Sequence, residues 1–127
     1  MDREKAIDEA KFSSGELREA LVERHSEETQ QKLEQGRVAI AGLGGLGSNV
    51  AIALTRIGVG HLHLLDFDRV DLTNLNRQQY FLDQVGRYKT EALSETLQRI
   101  NPYLDIRFDT VKHNTCYCVL CLAAFSP

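Results

Sequence analysis

"RVAIAGLGGLGSNVAIALTRIGVGHLHLLDFD", residues 37–68, decides the fold. Its opening "RVAIA" at 37–41 is short, apolar and closed by glycine, as a buried strand would be. The run 45–57, "GLGSNVAIALTRI", has helical spacing, with Leu46, Val50, Ala53 and Leu54 on one face and Ile57 a turn further on. "GVG" at 58–60 turns the chain, and "HLHLLDFD" at 61–68 reads as a second strand. A strand, glycine turn, helix and strand within about 30 residues is a βαβ unit. Such crossovers are right-handed and imply a parallel sheet.

The turn carries three glycines spaced G-x-G-x-x-G. Gly42 permits the sharp exit from the strand, Gly44 lets an anion approach bare backbone, and Gly47 lets the helix pack closely on the sheet. The helix start then offers unpaired N–H groups and a partial positive charge to a phosphate. Asp66 follows Gly47 by 19 residues, at the end of the second strand. A carboxylate there accepts bonds from ribose hydroxyls. Loop and acid fit NAD, FAD and ATP alike, and the chain has no G-x-x-x-x-G-K-[ST] loop.

Outward from this unit the same alternation continues. "YKTEALSETLQRI" at 88–100 is an amphipathic helix with Ala92, Leu93, Leu97 and Ile100 inward, stopped by Asn101 and Pro102. "LDIRFDTV" at 104–111 reads as a third strand. Upstream, residues 16–35 lack Gly and Pro and suit one helix with few apolar positions, ended by Gly36. The expected fold is therefore α/β: a Rossmann-like parallel sheet, the βαβαβ half of a doubly wound nucleotide-binding domain, with an N-terminal helix. Three segments result: a helical segment at 1–36, the nucleotide-binding half at 37–112, and an uncharged tail at 113–127.

At 127 residues the chain is large enough for one compact domain. A net charge of -3 gives no basic surplus, so neither nucleic acid nor an anionic membrane is an expected partner. The charged start "MDREKAIDEA" lacks the apolar core of a signal peptide. No stretch approaches the roughly 20 apolar residues that span a bilayer. A cytoplasmic setting is expected.

Residues 66–89 separate the nucleotides. A dinucleotide enzyme holds its pyrophosphate on the helix end and has no use for a further cluster of cationic and amide groups. Here Asn74, Arg77, Gln78 and Lys89 follow the second strand. Arg77 presents a planar fork to phosphate oxygens and Lys89 a point charge. Together they suit a triphosphate and the charge that builds when an α-phosphate is attacked, which makes them the candidate catalytic residues. Each also has a plain reading: Arg77 and Lys89 as solvated charges, Asn74 as a turn residue, Asp66 as a sheet-end cap.

"GLGGLGSN", "GVGHLHLLDFDRVDLTNLNRQ" and the lysine opening the next helix resemble the ThiF/MoeB/HesA family and the ubiquitin-activating enzymes. The pattern D-x-D-x-V-x-x-x-N-L-x-R-Q is the diagnostic part. "ERHSEETQQKL" and "NRQQYF" are further similar to short ThiF-like sulfur-carrier adenylyltransferases of thiamine biosynthesis. The resemblance implies MgATP-dependent adenylation of the C-terminal carboxylate of a small ubiquitin-like sulfur carrier, in a thiamine- or molybdopterin-type pathway. It implies that Gly42, Gly44 and Gly47 face the phosphates and that Asp66 holds the ribose. Asn74, Arg77, Gln78 and Lys89 would line the phosphate site, and Asp68 matches the second acid. In larger relatives an N-terminal arginine reaches the ATP of a partner subunit, and Arg24 is the candidate here.

The resemblance stops near residue 112. The family's magnesium-holding aspartate after a fourth strand has no counterpart in "NTCYCVLCLAAFSP", so the chain looks truncated after its third strand and its activity is doubtful. The first strand would then be an open sheet edge, which "CVLCLAA" could cover as a strand or plug; otherwise a homodimer or higher association is expected. His113, Cys116, Cys118 and Cys121 are four possible zinc ligands at irregular spacing, and incidental thiols are the favoured reading. His61 and His63 share a strand face without a third ligand nearby, so an edge or surface position is expected. No metal site is assigned. The alternatives are an NAD- or FAD-dependent oxidoreductase fragment and a non-catalytic nucleotide-binding module.

Overall fold

The computed structural model describes residues 3–111 and the strand Cys121–Phe125. Three helices lead in: α1 (Arg3–Asp8), α2 (Ser14–Arg24) and α3 (Glu27–Gln35). The parallel unit follows as β1 (Arg37–Ala41), α4 (Gly45–Ile57), β2 (His61–Leu65), α5 (Lys89–Ile100) and β3 (Asp105–Asp109). Two short 3-10 turns, Leu72–Asn76 and Leu82–Gln84, lie between β2 and α5. The last strand is β4 (Cys121–Phe125).

The single expected helix over 16–35 is two helices. Ser26 breaks it, because its hydroxyl accepts the Thr29 N–H at 3.1 Å and starts α3 afresh. Glu27 and Glu28 then sit in the first turn, where the helix dipole favours acids. Ser13 and Glu16 form a reciprocal capping box on α2. Arg18 on α2 binds Glu34 on α3 at 2.9 Å and so clasps the two helices.

The sheet order is β3-β2-β1-β4. β1 and β3 both run parallel to β2, with Ile40 opposite Leu64 and Leu62 opposite Ile106. Strand alternation puts Ile40, Leu62 and Leu64 into the core and leaves Arg37, Ala39, His61 and His63 on the other face. Ala92, Leu93 and Leu97 of α5 complete that core as expected, and Ile100 packs against it half-buried. Each fully buried leucine contributes about 2 kcal/mol.

The first strand's free edge is filled. β4 pairs antiparallel with β1, Cys121 opposite Ala41 and Phe125 opposite Arg37. Of the two coverings the tail allowed, the strand is the one observed. The parallel β1-β2-β3 unit is the expected fold, and β4 adds to it in the antiparallel direction. Of the tail's four possible zinc ligands, His113, Cys116 and Cys118 lie outside the described residues.

The face of α4 differs from expectation. Gly47, Ser48, Ala51 and Thr55 are buried, whereas Leu46 is 60% exposed and Ala53 and Ile57 also face outward. Small residues let this helix sit close to the glycine turn, and that closeness outweighs burial of its larger apolar side chains. The histidines also depart from the edge reading, since β2 is flanked on both sides. His61 meets Asp105 at 2.9 Å and His63 meets Asp109 at 2.7 Å across the sheet surface. Among the described residues no three metal-ligating side chains converge.

Ahead of α5, Arg87 grips Glu95 with both guanidinium nitrogens, at 2.6 and 2.9 Å. That fork, with a second contribution from the N-terminal ammonium, holds the Glu95 carboxyl down to about 2, against an ordinary 4.5. A lowered folded-state pKa means the bond's stabilisation is complete above the ordinary value and fades as pH falls through the lowered one. Both side chains are about a third exposed, so the pair is worth at most about 1 kcal/mol. Glu95→Gln should therefore destabilise the chain by that amount at pH 7 in urea unfolding. The two curves should converge toward pH 2.

Candidate functional site

Gly42 leaves β1 at φ 94, a left-handed conformation that glycine adopts without strain, and its N–H donates to the Leu65 carbonyl at 2.8 Å. Gly44 caps α4 without any side-chain capping bond. The opening N–H groups of this 13-residue helix are thus not capped by any side chain among the described residues. Gly47 lies against the turn so closely that an added Cβ would sit 1.7 Å from the Gly42 oxygen.

Asp66, only 6% exposed, belongs to the same turn. One carboxylate oxygen accepts the Leu43 N–H and the other the Asp68 N–H, each at 2.7 Å. The expected ribose acid therefore also locks the loop, and each oxygen keeps a further lone pair for a ligand. Asp68 is exposed, and its carboxylate has no partner among the described residues. Its backbone oxygen accepts the Lys89 N–H at 3.0 Å, which ties the end of β2 to the start of α5.

Asn74 caps its own turn. Its side-chain oxygen accepts the Asp71 N–H at 2.8 Å, while Asp71 receives the Thr73 N–H at 2.9 Å. Hydrogen bonds from Thr73, with a smaller contribution from the Lys89 charge, keep the Asp71 carboxyl below its ordinary range. The plain reading of Asn74 thus describes its oxygen; its amide nitrogen has no partner among the described residues.

Arg77 is exposed, and its stem lies 3.7 Å from where a Cβ on Gly45 would be, which brings it to the start of α4. One guanidinium nitrogen donates to the Asn76 side chain at 2.9 Å. Gln78 is 7% exposed, and its Oε1 is buried without a partner among the described residues. Lys89 is 6% exposed, and its ammonium has neither hydrogen bond nor ion pair among those residues. Arg24 closes α2, whose Leu21 packs at Gly58 beyond the far end of α4 from the glycine loop. Within one chain it is not brought to this site.

Four residues that sequence reasoning missed join 77–80 to the loop. Ser48 Oγ donates to the Gly44 carbonyl at 2.6 Å and accepts the Gln79 N–H at 3.1 Å. Asn49 donates to the Arg77 carbonyl at 3.1 Å and accepts from the Gln79 side chain at 2.7 Å. The Tyr80 hydroxyl donates to the Leu43 carbonyl at 2.6 Å. These bonds join residues some 30 positions apart, and no local pattern announces them. Chemically, the described residues offer a helix start without side-chain caps, an acid bound to the glycine turn and an exposed guanidinium beside that helix start, with a lysine at the start of α5 whose ammonium they leave unpaired.

Residues 17–121 match the ThiF family. Ubiquitin-like modifier-activating enzyme 5 of Drosophila persimilis is 40% identical over 107 residues, which cover 84% of this chain and 26% of that protein. Its Xenopus laevis counterpart is 42% identical over 87 residues, covering 68% and 21%. The chain thus spans about a quarter of the length of these curated relatives. Among solved structures, E. coli tRNA N6-threonylcarbamoyladenosine dehydratase in complex with ATP superimposes with a TM-score of 0.73 at 30% identity, covering 80% of this chain and 43% of that one. E. coli MccB with ATP gives 0.65 at 36% identity, covering 67% and 26%. The family pattern runs from α2 into β4 and takes in the glycine loop, its acid and the N-L-x-R-Q turn: this chain belongs to the ThiF family.

Proposed function

We propose that this chain is the ATP-holding half of an adenylyltransferase that activates the C-terminal carboxylate of a small ubiquitin-like carrier. The observation that carries the reading is Gln78 Oε1, buried without a partner among the described residues at the end of the N-L-x-R-Q turn, together with the Lys89 ammonium, which makes no hydrogen bond or ion pair among them. A buried polar oxygen is seldom left without a partner, and a phosphate chain beside the start of α4 would give the open lysine one as well. Gln78 completes its own amide through a ligand or water donor.

In this reading the glycine-loop N–H groups take phosphate oxygens, Asp66 takes ribose hydroxyls, and Arg77 and Lys89 offset phosphate charge. Asn74 contributes its free amide nitrogen. The carrier carboxylate attacks the α-phosphorus, a new P–O bond forms, and the bond to the β-phosphate oxygen breaks. Pyrophosphate leaves with the bonding electron pair. The carboxylate needs no general base, so orientation and electrostatics supply the catalysis.

Magnesium enters as the triphosphate's counter-ion. The described residues form no metal cage of their own, and Asp68 is the unpaired carboxylate beside the phosphate residues. A sulfur carrier of thiamine or molybdopterin type, a cytoplasmic setting and self-association that brings Arg24 to a neighbouring copy complete the proposal. Similar proteins solved in complex with ATP support the nucleotide, and the similar ubiquitin-like modifier-activating enzymes support the carrier.

Equilibrium dialysis of the chain with MgATP and with adenosine tests the nucleotide. ATP should bind at least about 100-fold tighter, as two charge-assisted contacts imply. Carrier-dependent exchange of labelled pyrophosphate into ATP tests the chemistry. Tight ATP binding without exchange would favour the non-catalytic module. Binding of NADH in place of ATP would sink the proposal.

A further inference from the structure

Leu43 lies between the first two glycines of the loop, and both of its backbone groups are held by side chains from elsewhere. Its N–H donates to Asp66 and its carbonyl accepts the Tyr80 hydroxyl. Tyr80 belongs to the hydrophobic core, yet its one polar atom reaches the loop backbone at 2.6 Å. Burial and then the Asp66 charge push its phenol well above the ordinary tyrosine range, so it acts as a donor.

The peptide joining Leu43 to Gly44 is trans, like the others described. In a trans peptide the carbonyl and the following N–H point in opposite directions. The Leu43 carbonyl is drawn inward to Tyr80, so the Gly44 N–H faces outward at the start of α4. That N–H has no acceptor among the described residues. Without the hydroxyl, nothing among the described side chains would hold this carbonyl down. The peptide could then turn over and present an oxygen to the anion instead.

We propose that Tyr80 is a positioning residue whose hydroxyl sets the Leu43–Gly44 peptide and so aims the Gly44 N–H at a phosphate of the bound nucleotide. The proposal rests on the ATP reading above. It separates Tyr80 from the residues that would touch the nucleotide themselves. It also gives the hydroxyl a purpose that its aromatic ring, which serves the core, does not require.

Tyr80→Phe removes the hydroxyl and keeps the ring. In the full chain its dissociation constant for MgATP should rise about tenfold, the worth of one hydrogen bond. Affinity for adenosine, which carries no phosphate, should stay within about twofold. A merely structural role would weaken both alike or neither, and either result overturns the proposal. A wild-type chain that binds adenosine as tightly as ATP overturns the ATP reading and the proposal together. If the variant fails to fold, the Gly44 amide resonance of the wild-type chain decides. It should shift on adding MgATP and stay still with adenosine, and indifference to ATP overturns the assignment.

Discussion

Gly47→Ala is expected to destabilise the chain by about 3 kcal/mol or more, near the top of what overpacking costs. The added Cβ would lie 1.7 Å from the Gly42 oxygen and 2.8 Å from its carbonyl carbon. Both are backbone atoms of a turn already pinned by the Gly42 N–H bond to Leu65 and by Asp66 on Leu43. No flexible side chain can yield, so α4 must move off the turn and take its buried residues Ser48, Ala51 and Thr55 with it. Domains of this size are stable by about 5–15 kcal/mol, so the change consumes a large share. Gly86→Ala is the control. Gly86 has φ 90 and nothing within 4 Å of an added Cβ, so it should lose only the backbone term of about 1–2 kcal/mol. Urea unfolding compares the two. Gly47 itself lies in α4 without a positive φ, so a loss no larger than that of Gly86→Ala would mean that the close approach of helix to turn is not what makes position 47 a glycine.

That close approach also explains which parts of the fold were legible. β1, α4, β2, α5 and β3 follow from apolar runs and glycine punctuation, and α4 runs over the residues its spacing predicts. Its orientation does not follow. A hydrophobic pattern favours Leu46 and Ala53 inward, but contact with the turn is made at Gly47 and Ser48, where size and a hydroxyl decide. The split between α2 and α3 was written locally in Ser26 and Thr29, and the absence of Gly and Pro hid it. The candidate site divides the same way. Gly42, Gly47 and Asp66 announce themselves by spacing because each role is fixed by the strand-turn-helix geometry. Tyr80, Ser48 and Gln79 act across about 30 residues of chain, and only folding brings their partners within reach. Asn74 is the mixed case, since a turn residue and a phosphate-site residue have the same local look.

Lys89→Met should separate binding from folding most sharply, because it should cost affinity and leave stability nearly unchanged. The ammonium makes no hydrogen bond or ion pair among the described residues, so replacing it with an unbranched apolar side chain removes no contact. Folding stability should stay within about 0.5 kcal/mol of the wild type, since no contact among the described residues is lost. A charge-assisted bond to phosphate is worth about 1.5–3 kcal/mol, so ATP affinity should fall about 10- to 100-fold. Arg77→Ala should weaken ATP by a similar factor from an exposed position whose only side-chain partner among the described residues is Asn76. The combined variant should come close to binding ATP no better than adenosine, provided the two contacts are independent. Dialysis and urea unfolding on the same preparations provide both readouts. A Lys89→Met chain that is less stable yet binds ATP unchanged would make this lysine a structural group, and the orphaned ammonium would no longer point to a nucleotide.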